Sequence, residues 1–518
     1  MTHHYDIVII GSGAGGGTMA RALAATPARV LIVERGDFVP QEAENWSPEA
    51  VWKDLRYQTR ERWLDSRGRE FQPYTHYNVG GNTKFWGAVL YRMRREDFLA
   101  MPHRDGVSPA WPIRYEDLEP YYELAEQMYR VRGSAGQDPT EPPRGPFPYE
   151  PVPHSAAMEE SVRGLRGMGL HPSPLPLGIQ RPGESDGCVL CNTCNSFACR
   201  VHAKSEADVV GVRPALRAGQ GRVELWTNSC AQRLITDARG RRIVAIEIEQ
   251  DGAVVRVETP LVVLAAGAIN SAALLLRSAN DRHPNGLANS SGLVGRRYMA
   301  HLATMMQGFH PTKMNSTVFQ KTVAVNDFYL RGRKSEYPLG SIQSQGRTHG
   351  VMAQTVVPWI PVGAYDWWVA RGVDWLVMSE DLPTSANRVT VTSDGRIQLH
   401  YTPNNLRAHW ELVRETRRIL RRLGFPLVVK HSHGARNTTH QCGTLVFGTD
   451  PTQSVLDPFC RAHDVENLFV VDASFFPSSA AVNPGLTIIA QALRVADHIR
   501  ETELRLSSSS LRLQAEPV

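Results

Sequence analysis

Four short apolar runs, Ile7-Val8-Ile9-Ile10, Val30-Leu31-Ile32-Val33, Leu261-Val262-Val263-Leu264 and Leu468-Phe469-Val470-Val471, interrupt an otherwise mixed pattern of polar and apolar positions. A run with no polar face predicts a strand covered on both sides, the environment of a parallel sheet. The first two runs are joined by Gly11-Ser12-Gly13-Ala14-Gly15-Gly16 and by residues 18–25, which read as a helix. Strand, glycine turn, helix and strand make a complete βαβ unit. Between 223 and 257 the pattern changes, and residues 223–226, 232–236, 243–250 and 254–257 alternate in the manner of an antiparallel meander. Further helices are predicted at 271–277, 409–423 and 488–500, with a Pro-started turn into an amphipathic helix at 111–122.

The glycines of the first turn have separate duties. Gly11 permits the tight turn, Gly13 lets the backbone approach a pyrophosphate, and Gly16 lets the helix pack close to the strand, while the helix N-terminus presents free N–H groups to negative charge. Glu34 ends the second strand eighteen residues after Gly16. A carboxylate there can accept hydrogen bonds from a ribose 2′-hydroxyl and would repel a 2′-phosphate. The last apolar strand ends in Asp472, and Asn483-Pro484-Gly485-Leu486-Thr487 then opens a helix. This far end of the chain must pack against the first βαβ unit, and a cofactor longer than NAD would use both.

Residues 37–75 are irregular and rich in charge and aromatics, so they cannot be the next βαβ repeat of a nicotinamide dehydrogenase. The paired glycines and small polar residues of 77–88 suit close contact between backbone and a flat, bulky ligand, or a plain loop. Residues 133–187 are rich in Pro and Gly and read as a surface connection or lid rather than core. From 303 to about 426 the composition shifts towards Trp, Gln, Thr and Pro, which marks a substrate lobe built on a sheet with its helices. Trp359, Trp367, Trp368 and Trp375 are expected in its core rather than in a sugar-stacking wall. Arg414, Arg417, Arg418, Arg421 and Arg422 fall on a single face of the helix at 409–423, expected to be solvated rather than docked on a membrane or an acidic partner. The tail after Arg505, with four consecutive serines, is expected to be flexible.

A chain of 518 residues can hold two or three domains, or one large dinucleotide domain with a second lobe. Its 57 basic and 52 acidic residues are too balanced to argue for nucleic acid or a polyanionic substrate. No membrane span is present, and the first apolar run has neither a basic flank nor a cleavage site, which argues against a Sec signal. Seven cysteines form no evident secreted framework, and a cytoplasmic location is expected.

Taken together, the 5–36 fingerprint, the 80–88 loop, the 111–122 motif, Ala266-Gly267-Ala268-Ile269-Asn270-Ser271, and His440 with the closing 472–487 segment resemble the glucose-methanol-choline (GMC) family of FAD-dependent oxidoreductases. The resemblance runs through most of the chain and is strongest to the bacterial pyranose-oxidase-like branch, which includes the C-glycoside 3-oxidases. It implies an α/β protein: a Rossmann-like FAD-binding domain with a parallel sheet, assembled from 1–100, 188–302 and 427–505. A substrate-binding α+β lobe on an antiparallel sheet would take 303–426, with 101–187 as connection or lid and 506–518 as tail. It further implies that Gly11, Gly13, Ala14 and Gly16 face the pyrophosphate and Glu34 the adenosine ribose. Asn82, Thr83, Gly87 and Ala88 would lie near the flavin, Ala231 and Gly267 near the adenine side, and Asp472, Ala473, Pro484 and Thr487 around the pyrophosphate, ribityl chain and ring. His440 and Asn483 match the family's catalytic pair.

Two positions depart from the pyranose oxidases. Phe85 replaces the histidine that bonds covalently to FAD, so the FAD is expected to be non-covalent, and Gly87 replaces the threonine that helps manage the oxygen adduct. The implied activity is oxidation of a secondary hydroxyl of a sugar or glycoside, at C3 of the glycosyl unit. Hydride passes to flavin N5, and O2 becomes peroxide or a quinone or protein takes the electrons. Histidine, with an ordinary pKa of about 6.5, suits removal of the hydroxyl proton, and Asn483 can donate to the developing alkoxide. The spacing of Cys188, Cys191, Cys194 and Cys199 resembles iron–sulfur or zinc ligation but lacks the Cys-Pro ending of a ferredoxin run, leaving loop-shaping thiols as the expectation and no metal site assigned. An electron-transfer subunit with a cluster in those cysteines is the competing class; it would show redox spectra without alcohol-driven bleaching of flavin.

Overall fold

In the computed structural model, which describes residues 3–183, 187–432, 434 and 438–506, Ile7–Ile10 is the middle strand of a five-stranded parallel sheet. The strand order is Val223–Trp226, Val30–Val33, Ile7–Ile10, Val262–Leu264, Leu468–Val470. The four apolar runs predicted as buried strands all lie here, buried throughout. At about 1.5–3 kcal/mol for each Val, Leu or Ile removed from water, this burial sets where the two ends of the chain meet. Register aligns Ile10 with Leu264 and Leu264 with Val470, so three carboxyl ends finish side by side. In such sheets ligands bind outside those ends.

The helices that follow begin three or four residues earlier than the pattern predicts, at Ala14–Leu23, Ala268–Arg277, Leu406–Arg422 and Gly485–Thr502. Glycines, with poor helix propensity, hide two of these starts, at residues 15–17 and at 485, where packing overrides propensity. Gly15, Gly16 and Gly17 are all buried.

A second sheet of six strands is wholly antiparallel, in the order Leu427–Ser432, Leu302–Phe309, Gly372–Ser379, Ser341–Ser344, Val323–Val325, Pro172–Pro174. Helix Leu406–Arg422 packs on it through Leu412, Val413, Ile419 and Leu420. The mixed α/β architecture with a parallel and an antiparallel sheet is thus the one expected from sequence.

Three expectations are corrected. Val223–Trp226 is not part of the meander but the outer strand of the parallel sheet, paired with Val30–Val33; beyond Val223 its side chains are only partly buried, so its polarity resembles that of a hairpin strand. The meander keeps the strands Ser229–Thr236, Ile243–Gln250 and Ala253–Glu258. The stretch 133–187 is more than a connection. Its helix Ala156–Gly167 buries Met158, Val162 and Leu165 in the core of the second lobe, and Pro172–Pro174 adds an edge strand, a place proline tolerates. Of the four tryptophans only Trp375 is fully buried. Trp368 stacks on Phe309 at 3.8 Å, Trp367 is half exposed, and Trp359 is 81% exposed at the turn between helices Gly350–Val356 and Val362–Val369.

Arg414, Arg418, Arg421 and Arg422 are exposed, as expected of a solvated face. The tail expected to be flexible lies, from 507 onward, outside the described residues.

Candidate active site

The carboxyl end of Ile7–Ile10 runs into a turn whose geometry explains its glycines. Gly11 has φ +99°, and a Cβ there would stand 2.4 Å from the Ala265 carbonyl oxygen. A Cβ at Gly16 would stand 1.9 Å from the Gly11 carbonyl oxygen, whereas one at Gly13 would meet nothing within 4 Å. The turn is therefore closed on two sides and open at Gly13, where Ala14 begins the helix. Glu34 is buried and accepts hydrogen bonds from Ser12 N at 3.1 Å, from the Ser12 hydroxyl and from Gly36 N at 3.1 Å. Burial pushes its carboxyl above the usual range while these donors oppose the shift. Ala231 lies on the strand that starts beside it, since Ser229 N donates to the Glu34 carbonyl at 2.9 Å.

The loop at 77–88 crosses this turn, because Gly80 N donates to Ser12 Oγ at 3.0 Å. Its polar side chains hold the loop itself. Asn82 Oδ1 accepts from His76 N at 3.0 Å, and Thr83 Oγ1 donates to Gly80 O at 2.6 Å while accepting from Ala207 N. Underneath lies a buried ionic cluster in which Lys84 Nζ contacts Glu206 and, at 3.0 Å, Asp208. Removing one partner of such a cluster typically costs about 3–5 kcal/mol, which makes it a strong fastening. Phe85 turns into a small apolar cluster with Val39 and Ala198 and stacks on His76. Ala88 is buried with φ 51°, and its carbonyl accepts from Gly178 N.

At the neighbouring strand ends, Asp472 joins three elements. It accepts from Gly267 N at 2.9 Å, from the Ser271 hydroxyl, and from Ser474 N at 2.9 Å. Ala473 O accepts from Gly443 N at 3.0 Å. Pro484 caps the last helix, and the Thr487 hydroxyl pairs with Tyr122 OH at 2.8 Å. The motif at 111–122 therefore braces the closing segment twice, since Trp111 Nε1 also donates to Ser478 Oγ at 2.8 Å.

His440 and Asn483 reach the same segment from different sides. His440, in the left-handed region at φ 54°, places Nδ1 2.9 Å from Nδ1 of His301, whose Nε2 lies 2.9 Å from the Ser479 carbonyl oxygen. A carbonyl only accepts, so His301 Nε2 carries a proton. Burial pushes His301 below the ordinary histidine range, which keeps it neutral and leaves Nδ1 as an acceptor. The shared proton therefore belongs to His440 Nδ1, and the lone pair of the His440 ring is on Nε2. Four residues beyond Ser479, Asn483 Oδ1 accepts from Gln343 Nε2 at 3.0 Å. That bond fixes the amide so that its NH2 group remains the donor face. Replacing His301 by Phe removes the acceptor for a proton that becomes part of a cation, a loss of about 1.5–3 kcal/mol and so roughly 10–150-fold in turnover. His301→Gln, whose carbonyl oxygen can accept, is expected to recover much of it in steady-state assays; equal loss in both variants would mean that His301 only fills space.

The N-terminal GMC oxidoreductase model matches residues 76–303 and the C-terminal one residues 383–492. The chain is 32% identical to 6'''-hydroxyparomomycin C oxidase of Streptomyces lividus, over 96% of this chain and 92% of that one. The chain belongs to the GMC oxidoreductase family. It is also 28% identical to the fructose dehydrogenase large subunit of Gluconobacter japonicus, over 95% of this chain and 97% of that one. Among solved structures, pyridoxine 4-oxidase from Mesorbium loti superimposes with a TM-score of 0.67 at 19% identity, covering 96% of this chain and 99% of that one.

GMC oxidoreductases use FAD, and the residues present fit it. The opening at Gly13 suits a pyrophosphate, and a Cβ at Gly267 would approach nothing closer than Gln441 Oε1 at 3.8 Å. Asn78 Oδ1 and Trp86 Nε1, in the loop that crosses the glycine turn, are buried with no protein partner among the described residues. A ligand carrying both donors and acceptors would satisfy them.

Sequence reasoning missed His301, Gln343 and Lys84. Only Lys84 sits in a motif, the 80–88 loop, and each is meaningful only beside a residue far away in the chain. The four clustered cysteines are free thiols in a loop fastened to the glycine loop, with Ser196 N donating to Phe85 O at 2.9 Å. Burial pushes Cys188 up to about 12. Among the described residues no group of three or more His, Cys, Asp or Glu is arranged to hold a metal.

Proposed function

We propose that this chain oxidises a hydroxyl of a sugar or glycoside, the C3 hydroxyl of the glycosyl unit, to a carbonyl, with non-covalently bound FAD and with O2 as acceptor. Bound FAD would supply the two-electron sink for the hydride leaving carbon. Gly11, Gly13, Ala14, Gly16 and Glu34 would hold its adenosine diphosphate end, with Ala231 and Gly267 towards the adenine. Asn82, Thr83, Gly87, Ala88, Asp472, Ala473, Pro484 and Thr487 would surround the ribityl chain and ring. Phe85, turned into its own apolar cluster, offers no nucleophile for a covalent link.

His440 Nε2 takes the hydroxyl proton, and the resulting imidazolium keeps its Nδ1–H on His301. Asn483 donates to the oxygen as negative charge develops on it, its amide held in that sense by Gln343. The observation that carries the reading is the 2.9 Å contact between His301 and His440, because it leaves the basic nitrogen on the other side of the ring.

A second reading is favoured by the relative named for a 6'''-hydroxy compound: attack at a 6-position hydroxyl, giving an aldehyde. The dehydrogenase among the relatives supports a quinone or protein acceptor as the alternative to O2. No helix of the described residues is long and apolar enough to cross a membrane. Anaerobic mixing with free sugars, O-glycosides and C-glycosides, followed by NMR of the product, tests the proposal. It expects bleaching of the flavin and a C3 ketone; an aldehyde would select the second reading, and no bleaching with any alcohol would end both. Turnover with O2 against benzoquinone then separates the acceptors.

A further inference from the structure

Two glutamines on one sheet face tie the Asn483 segment to a buried lysine. Gln343, in strand Ser341–Ser344, holds Asn483. Gln345 continues the strand, its N donating to Asp374 O at 2.8 Å, and its side chain accepts from Asn195 Nδ2. Residues two apart on extended backbone point to the same face, about 7 Å from each other. Asn195 Oδ1 in turn accepts from Lys321 Nζ at 2.7 Å, and the same ammonium donates to the Gly87 carbonyl. Lys321 is therefore linked to Asn483 through Asn195 and the two glutamines, and lies directly against the Gly87 turn.

The lysine is fully buried, and among the described residues no carboxylate stands within ion-pair distance of it. Its neighbours show how unusual this is. Lys84 and Lys204 have Glu206, Arg92 has Glu126, and Arg94 has Asp138. Burying an ammonium on neutral acceptors alone is costly. Burial lowers its pKa to about 8, which leaves it mostly protonated at neutral pH. Gly87 is what admits it, since a Cβ at 87 would stand 2.3 Å from Lys321 Nζ and 2.6 Å from Asn195 Oδ1.

We propose that Lys321 is a catalytic residue whose ammonium balances the negative charge that two-electron reduction places on the flavin ring. This rests on the reading above that the ring lies on the Gly87–Ala88 turn. In the reaction the substrate C–H hydrogen leaves with its electron pair to the ring and the hydroxyl proton goes to His440. The product is neutral, the imidazole gains one positive charge, and the ring gains one negative charge, opposite the lysine.

The test uses FAD-loaded wild type, Lys321→Met and Lys321→Gln, with two readouts besides turnover. These are the two-electron reduction potential and the affinity for sulfite, which adds to oxidised flavin and leaves a negative charge on the ring. Both variants are expected to bind sulfite about tenfold or more weakly, and a tenfold weaker hold on the reduced form lowers the potential by about 30 mV. Glutamine keeps an N–H donor for Gly87 and Asn195 without the charge. If Lys321→Gln matches wild type in both readouts, Lys321 is only a fastener and the proposal is overturned, whether or not Lys321→Met folds. Wild type that binds no FAD, or whose flavin no alcohol reduces, refutes the proposed function instead.

Discussion

His440→Ala is expected to retain FAD and lose about 10²–10⁴-fold in the rate of flavin reduction, the usual worth of a positioned general base. The loss should appear in anaerobic stopped-flow mixing, in the chemical step itself, because His301 holds the ring so that Nε2 is basic before substrate arrives. Cofactor content should change little. Glu34 and Asp472, expected to hold the cofactor, make their hydrogen bonds without His440, and the opening at Gly13 does not involve it. An unimpaired rate of flavin reduction would remove His440 from the mechanism.

The second large effect is expected at Asn483. Alanine there removes one donor to the developing alkoxide, a loss of about 10²–10³-fold by analogy with single oxyanion donors. Asn483→Asp should be at least as damaging although nearly the same shape, because a carboxylate can still accept from Gln343 but cannot donate to an anion. Since this bond strengthens only as charge develops, kcat and kcat/KM should fall together. A variant in which KM alone rises would make Asn483 a substrate-binding residue and shift the search for the alkoxide donor to another side chain.

Much of the cofactor end is legible in the sequence because its determinants are local. The glycine turn, the acid ending the second strand and the apolar runs each declare their geometry within a few residues, and the structure places Gly11, Glu34, Gly267 and Asp472 at adjoining strand ends. The Val223–Trp226 strand reads as part of the meander for the opposite reason, since alternation records exposure of one side and does not say which sheet supplies the other. The same limit applies to residues 133–187. Proline and glycine mark turns truthfully there, but between them Ala156–Gly167 carries an apolar stripe whose partner, around Trp375 and Leu412, lies in a distant part of the chain.

The catalytic neighbourhood divides along similar lines. His440 and Asn483 could be singled out through motif resemblance, but their protonation and orientation could not. Those depend on His301, which immediately precedes strand Leu302–Phe309, and on Gln343 in strand Ser341–Ser344, neither of which has recognisable surroundings in sequence. Lys321 is the extreme case, an ordinary lysine until folding strips it of water and of any counter-ion among the described residues. What the sequence determined by itself was the βαβ unit and the apolar strands, because burial and backbone sterics act within one element. What only the tertiary structure decided was which charges are paired, which nitrogen holds a proton and which amide faces the substrate, because those depend on groups brought together from far apart in the chain.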